Sequence, residues 1–284
     1  LAKIRPTEHA QKTYKINPRF SKTILNIGNY LSLKDKNIYA IKAYEKAKLY
    51  DPQNNEIFSN ISIAYARNKD FDNAKKYYDK AIVSKVVNPS LDLNLFYLYA
   101  YKNQFDKAWD LFESRKGTSK FLTSKNKSII GKTLNAKRET IVDKKVLIIR
   151  EQGIGEEILF SSMYKELISL NDDIKIETDK RLIGIFERSF ENNTFVPDGY
   201  YSKNKEKLNQ FDSIIFAGSL CSYFRKNKGD FLEKSYLIDD HEKTKKIKGN
   251  IIFSNTDLKI GLSWKSVVSV YGKLKSLSLS NFIP

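Results

Sequence analysis

The chain has 284 residues, a length that suits about two domains. Hydrophobic residues make up 41% and aromatics 13%, enough for packed cores, which excludes wholesale disorder. The net charge of +17 admits an anionic partner, but nine of the 50 basic residues are arginine and the lysines are spread throughout, which argues against a dedicated nucleic-acid interface.

Other absences narrow the class further. The sequence has no run of 18 apolar residues and no signal-peptide core, so no transmembrane segment is expected. Cys221 is the single cysteine, so no intramolecular disulfide can form, and with His9 and His241 as the two histidines no zinc site of His and Cys is expected. These features read as a soluble cytoplasmic protein. Leu1 in place of a starting Met, and Pro284 inside a patterned stretch, read as cut ends.

Residues 1–20 read as an N-terminal extension. From residue 21 the chain repeats every 34 residues. Ala40, Ala74 and Ala108 fall in register, as do Tyr44, Tyr78 and Phe112, then Leu31, Tyr65 and Tyr99, then Ile27, Ile61 and Leu95. Ala47 and Ala81 extend the pattern, but the third copy carries Arg115 there; Gly28 and Pro52 take the small and helix-ending positions of the first copy. Each unit is expected to be a pair of antiparallel helices, with the small alanine column letting the second helix press on the first. The spacing is that of the tetratricopeptide repeat (TPR), about three copies over 21–117. Such arrays resemble one another as peptide- or protein-binding scaffolds with a concave groove. Arg115, in a normally small column, suits a terminal repeat facing solvent or the next domain.

Residues 118–143 read as a polar linker with short structured pieces, its first apolar residues being Phe121 and Leu122. Gly131-Lys132-Thr133 looks like the end of a phosphate-binding P-loop. That motif requires a glycine where Asn126 stands and a preceding buried strand, and neither is present.

From Lys144 the pattern changes. Val146 to Ile149 form the continuous apolar run of a parallel strand buried on both faces. A turn over Glu151 to Glu157 follows, then one helix with Ile158, Leu159, Met163, Leu167 and Leu170 on its apolar side. Further strands are expected over 174–178, 212–217 and 259–264, with a helix over 181–190. This alternation predicts a doubly wound parallel sheet, so the fold class is α plus α/β, a repeat array followed by a Rossmann-like domain. Ligands of such sheets sit beyond the carboxyl ends of the strands. Three segments fall there: the Gly153–Glu157 loop, the Gly218-Ser219 turn, and Trp264-Lys265-Ser266. Gly153 and Gly155 suit a tight turn and close ligand approach ahead of a helix N-terminus. A dinucleotide fingerprint would need Gly or Ala at 158, where Ile158 stands, so NAD binding is not expected.

The segment EQGIGEEILF, starting at Glu151, is similar to the EQGLGDEILF of TPR-linked bacterial glycosyltransferases related to the lipopolysaccharide heptosyltransferases (family 9). ETDKRLIGIFERSF from Glu177 resembles the next strand and helix of that group, and GSLC from Gly218 its serine-leucine turn. KIGLSWKS from Lys259 and KLKSLSLSNF from Lys273 resemble the opening of its second domain. The resemblance spans about residues 140–284 in order. It implies a GT-B architecture, with a first Rossmann-like domain over 144–258 and the start of a second, truncated, over 259–284. It also implies an acceptor held mainly by the first domain, a nucleotide-sugar donor held mainly by the second, and no bound metal or cofactor.

In that family the acidic residue after the second glycine is the catalytic base, which places Glu156 in the role. Gln152, Gly153, Gly155, Ser219, Trp264, Lys265 and Lys275 are the implied substrate contacts, with Lys273 a further cation near the leaving diphosphate. The family usually has Asp where Glu156 stands; the extra methylene moves the carboxylate by about 1 Å, a misplacement that can cost about 100-fold in rate. The sequence therefore carries two expectations. One is a glycosyltransferase moving a sugar from a nucleotide-sugar donor to a glycan or protein acceptor, with the repeats selecting acceptor or partner; the 284-residue stretch alone is expected to transfer no sugar. The alternative is a non-catalytic interaction scaffold, TPRs on a Rossmann-like domain that has lost catalysis.

Overall fold

The computed structural model describes residues 16–17, 19–83, 89–119, 121–122, 124–190, 194–250 and 276–278. The expected strand at 259–264 and the residues Trp264, Lys265, Lys273 and Lys275 lie outside them, as does most of the 1–20 extension. The fold is α plus α/β: helices in pairs, then a four-stranded parallel sheet with helices between its strands. The chain divides into two compact units, with Ile238 ending the first and Asp239 beginning the second. The second contains the helix His241–Asn250, which buries no side chain.

Three helix pairs open the first unit: α1 (Ser21–Leu33) with α2 (Asn37–Tyr50), α3 (Asn55–Arg67) with α4 (Phe71–Ile82), and α5 (Pro89–Tyr101) with α6 (Phe105–Phe112). The turn inside each pair reverses the chain at one left-handed residue. These are Asp35 (φ 58°), Lys69 (φ 61°) and Asn103 (φ 56°), 34 residues apart. The next N–H returns to a carbonyl five residues back in every copy: Lys36 to Leu31 at 2.9 Å, Asp70 to Tyr65 at 3.0 Å, Gln104 to Tyr99 at 2.8 Å. This bond closes a helix by satisfying a carbonyl that its last turn leaves free. Ala40, Ala74 and Ala108 are buried, so the second helix of each pair lies close on the first. Asn54 and Asp70 cap α3 and α4 by accepting from the N–H groups of Glu56 and Asn73.

The first two pairs share a core of Ile24, Leu25, Tyr44, Ile57, Ile61 and Tyr77. The third belongs elsewhere: Phe96, Ala108, Trp109 and Phe112 lie in one core with Val146, Ile148 and Phe160.

The sheet has the order β3-β2-β1-β4, all parallel, with β1 Val146–Ile149, β2 Ile174–Thr178, β3 Phe195–Pro197 and β4 Ser213–Phe216. Every residue of β1 and β4 is buried because both faces are covered. Val146, Ile148 and Ile215 face the core that includes Phe112, Tyr164 and Phe186. Leu147, Ile149, Ile214 and Phe216 face Phe121, Ile129, Leu208 and Phe211. The 118–143 segment, with the short helices α7 (Ser124–Ile129) and α8 (Arg138–Ile141), thus supplies a wall of the sheet through Phe121 and Ile129, and Ala136 and Ile141 enter the opposite core.

Two local expectations are corrected. The helix after β1 is two helices, α9 (Ile154–Ser161) and α10 (Tyr164–Leu170), broken at Ser162-Met163. The break rotates the apolar face, so Phe160, Met163, Tyr164 and Leu167 are buried while Leu159 is 61% exposed. Strand β3, three residues long, was not expected at all.

Candidate functional site

The site is built where β1 ends. Arg150 and Glu151 leave the strand, Gln152 turns the chain in the left-handed region (φ 60°), and α9 starts at Ile154. The left-handed residue is Gln152 and not either glycine, which corrects the tight-turn part of the reason expected for Gly153 and Gly155. Both glycines are exposed. A methyl on Gly155 would meet nothing within 4 Å, and one on Gly153 would meet only the Glu156 carboxylate at 3.0 Å. Nothing in the described fold demands their small size, whereas a molecule lying against this backbone would.

Three glutamates occupy this turn and the first turn of α9, and their surroundings separate them. Glu157, fully buried, accepts from Arg150 Nε at 2.6 Å, from the Thr178 hydroxyl and from Asp179 N–H at 2.8 Å. Glu151, also buried, accepts from Arg115 Nε and an Arg115 terminal amine, both at 2.7 Å, and from Gly218 N–H at 2.6 Å. Glu156 is half-buried and, among the described residues, has no hydrogen-bond or ion-pair partner.

Arg115 comes from the short turn Glu113–Gly117 that ends the helical array. Besides Glu151, it donates to the Ser219 hydroxyl at 3.0 Å, the Phe112 carbonyl at 3.1 Å and Glu113 at 2.9 Å, so all five of its N–H groups are used. Its plane also covers the Phe112 ring, 4.2 Å from the centroid. Burial works against the guanidinium charge, but Glu151 and Glu113 outweigh it and raise its pKa further. Burial likewise opposes the Glu113 carboxylate, and the charges of Arg115 and Lys116 still hold it below the ordinary carboxylate range. Ser219 is therefore committed internally: it is buried, accepts from Arg115 and donates to Glu113 at 3.1 Å.

Residues that the sequence reading passed over complete the carboxyl edge of the sheet. Glu177 accepts from the N–H groups of Gly199, Tyr201 and Ser202 and from the Ser202 hydroxyl, which ties the 199–202 turn to β2. Arg150, Asp179, Lys180, Arg181, Pro197 and Asp198 line an opening of about 420 Å³ beside the ends of β1, β2 and β3. Hydrogen bonds from Arg181 hold the Asp179 carboxyl well below its usual range. A larger hollow of about 570 Å³ has Asp106, Asp110, Lys137 and Arg138 among its lining residues; no residue expected at the site lines it. The sequence signal for this edge was topological and partial: Arg150 and Asp179 to Arg181 follow expected strands, whereas Asp198 follows β3, which the sequence did not show.

Of the expected site residues, the structure gathers Gln152, Gly153, Gly155 and Glu156 where β1 passes into the first turn of α9 and sets Ser219 in the buried cluster beneath that passage. Among the described residues, no helix is long and apolar enough to cross a membrane, and no three His, Cys, Asp or Glu side chains group as metal ligands. No family model matches the chain, and no curated protein is significantly similar to it.

Proposed function

We propose that this chain is the acceptor side of a nucleotide-sugar-dependent glycosyltransferase, a TPR array joined to the Rossmann-like N-terminal half of a GT-B fold. The observation that carries this reading is the sorting of the three loop glutamates: Glu151 and Glu157 are consumed by arginines, and Glu156 is left unpaired at the head of α9. A sugar hydroxyl becomes a strong nucleophile as its proton leaves, and a free carboxylate at the carboxyl edge of the sheet can accept that proton. The order β3-β2-β1-β4 supports the Rossmann-like reading, being the first part of that fold's strand order. The recurrence of helix pair, left-handed turn and buried alanine supports the TPR reading. The leaving nucleoside diphosphate would be met by cations of the second domain, for which Lys265 and Lys275 are the candidates.

The test uses the complete protein and a panel of nucleotide sugars, with nucleoside diphosphate release as the readout. Glu156→Gln is expected to lower kcat by about 10²–10⁴-fold, the usual contribution of a positioned general base, with an unchanged melting temperature. Turnover that survives Glu156→Gln would remove Glu156 from the mechanism.

A second reading has its own support. Open α/β sheets hold ligands where the strand order reverses, here between the carboxyl ends of β1 and β4. Arg115, Glu113 and Phe112 of the array fill that place. Under this reading the chain is an interaction scaffold, no nucleoside diphosphate binds, and Glu156→Gln changes nothing.

A further inference from the structure

We infer that Arg115 is a positioning residue for the Gln152–Glu156 loop, so that the helical array supplies part of the foundation of the proposed site. The inference rests on the transferase reading for its kinetic consequence, and on the hydrogen-bond geometry alone for its structural one.

The loop is pinned at both ends by buried glutamates. At its far end Glu157 is held from within the sheet unit, by Arg150, Thr178 and Asp179. At its near end Glu151 is held at both carboxylate oxygens. One of them takes an Arg115 amine and Gly218 N–H, and the other takes Arg115 Nε. Between the pins lie five residues: Gln152 with its left-handed backbone, the two glycines, Ile154 and Glu156. A paired, planar guanidinium–carboxylate contact fixes direction as well as distance. Glu151 immediately precedes the left-handed turn, so its orientation sets the path into α9 and with it the place of the Glu156 carboxylate. Arg115 is 36 residues upstream and belongs to the array. The near pin is therefore made by one part of the chain on another. A lysine at 115 could offer one ammonium, but not the fork that reaches both Glu151 oxygens and Ser219 together.

The experiment compares the wild-type complete protein with Arg115→Gln/Glu151→Gln. Removing both charges leaves no uncompensated buried ion. Gln at 151 can still accept from Gly218 N–H, and Glu113 keeps Lys116 as its partner at contact distance. Hydrogen exchange of the Glu157 amide, which donates to the Gly153 carbonyl at 3.0 Å across this loop, is expected to rise at least about tenfold, while the amides of β1 and β4 keep their protection. In the same protein kcat is expected to fall about 100-fold with KM little changed, the mark of a displaced catalytic group rather than of lost binding. Arg115→Lys should restore neither loop protection nor kcat.

Loop exchange that matches wild type in the double variant overturns the inference. So does faster exchange spread evenly over the whole sheet, because Arg115 would then serve global stability. If the loop loosens as expected but the wild-type protein turns over no nucleotide sugar, Arg115 stands as the loop's anchor and the transferase reading is what fails.

Discussion

The packing of the first helix pair can be tested at Gly28. A methyl built on Gly28 would lie 2.3 and 2.5 Å from Cε1 and Cδ1 of Tyr44 and 3.0 Å from its Cζ. Ordinary carbon contacts begin near 3.5 Å, so the ring would have to retreat by about 1 Å. It has little room to do so. Tyr44 is 2% exposed, and its hydroxyl donates to Asn29 Oδ1 at 2.9 Å, an oxygen that also accepts from Asn60 at 3.0 Å. Replacing glycine by alanine inside a helix normally stabilises by about 1 kcal/mol. Here overpacking costs about 1–3 kcal/mol, and loss of the tyrosine hydrogen bond about 1 kcal/mol more. Gly28→Ala should therefore destabilise by about 1–3 kcal/mol, read as a lower midpoint in urea unfolding followed by circular dichroism. Because the first two pairs have their own core, exchange protection should fall in α1–α4 before it falls in the sheet. In a double-mutant cycle with Tyr44→Leu, the coupling should be at least about 1 kcal/mol, since the smaller side chain vacates the space the methyl needs. A Gly28→Ala protein more stable than wild type would refute the reasoning, because propensity alone would then govern the position.

Three more outcomes follow from particular contacts. Trp109 Nε1 donates at 2.6 Å to the buried carbonyl of Arg225, so Trp109→Phe should cost about 1–3 kcal/mol by leaving that carbonyl unpaired; a melting temperature equal to wild type would contradict this. The carboxyls of Glu113 and Asp179 titrate lower in the folded state than in the unfolded one, Glu113 despite its burial and through Arg115 and Lys116, Asp179 through Arg181. Their stabilisation is full above the unfolded values of about 4 and fades as pH falls through the folded ones, so Glu113→Gln should flatten the acid limb of a stability–pH curve. Burial pushes the Cys221 thiol up to about 12, leaving almost no thiolate at pH 8, and iodoacetamide should modify it only as fast as the protein opens.

Much of this architecture was legible in the sequence because two periodicities differ. The 34-residue recurrence of small and large apolar residues marks helix pairs, and the runs VLII and SIIF mark strands buried on both faces. What stayed hidden has physical causes. Phe195–Pro197 is too short to show an alternation. The break at Ser162-Met163 follows no proline or glycine. The 118–143 segment looked like a linker because its apolar residues, Phe121, Ile129, Ala136 and Ile141, are single and irregularly spaced, yet each is buried in a core.

The same contrast explains the site. A motif names residue types at a spacing, and EQGIGEE offers three carboxylates within seven residues without saying which is free. That depends on where arginines arrive from: Arg150 from the end of β1, Arg115 from the array. Arg115 departs from the 34-residue pattern, since an alanine column cannot normally hold a guanidinium. The departure is the signal. In a terminal repeat that column faces the α/β unit instead of another repeat, and the residue that breaks the pattern is the one that joins the two. Where a repeat's last copy substitutes a charge for a small residue, the complementary charge is best sought at the carboxyl end of a strand in the domain that follows, because buried charges persist when paired.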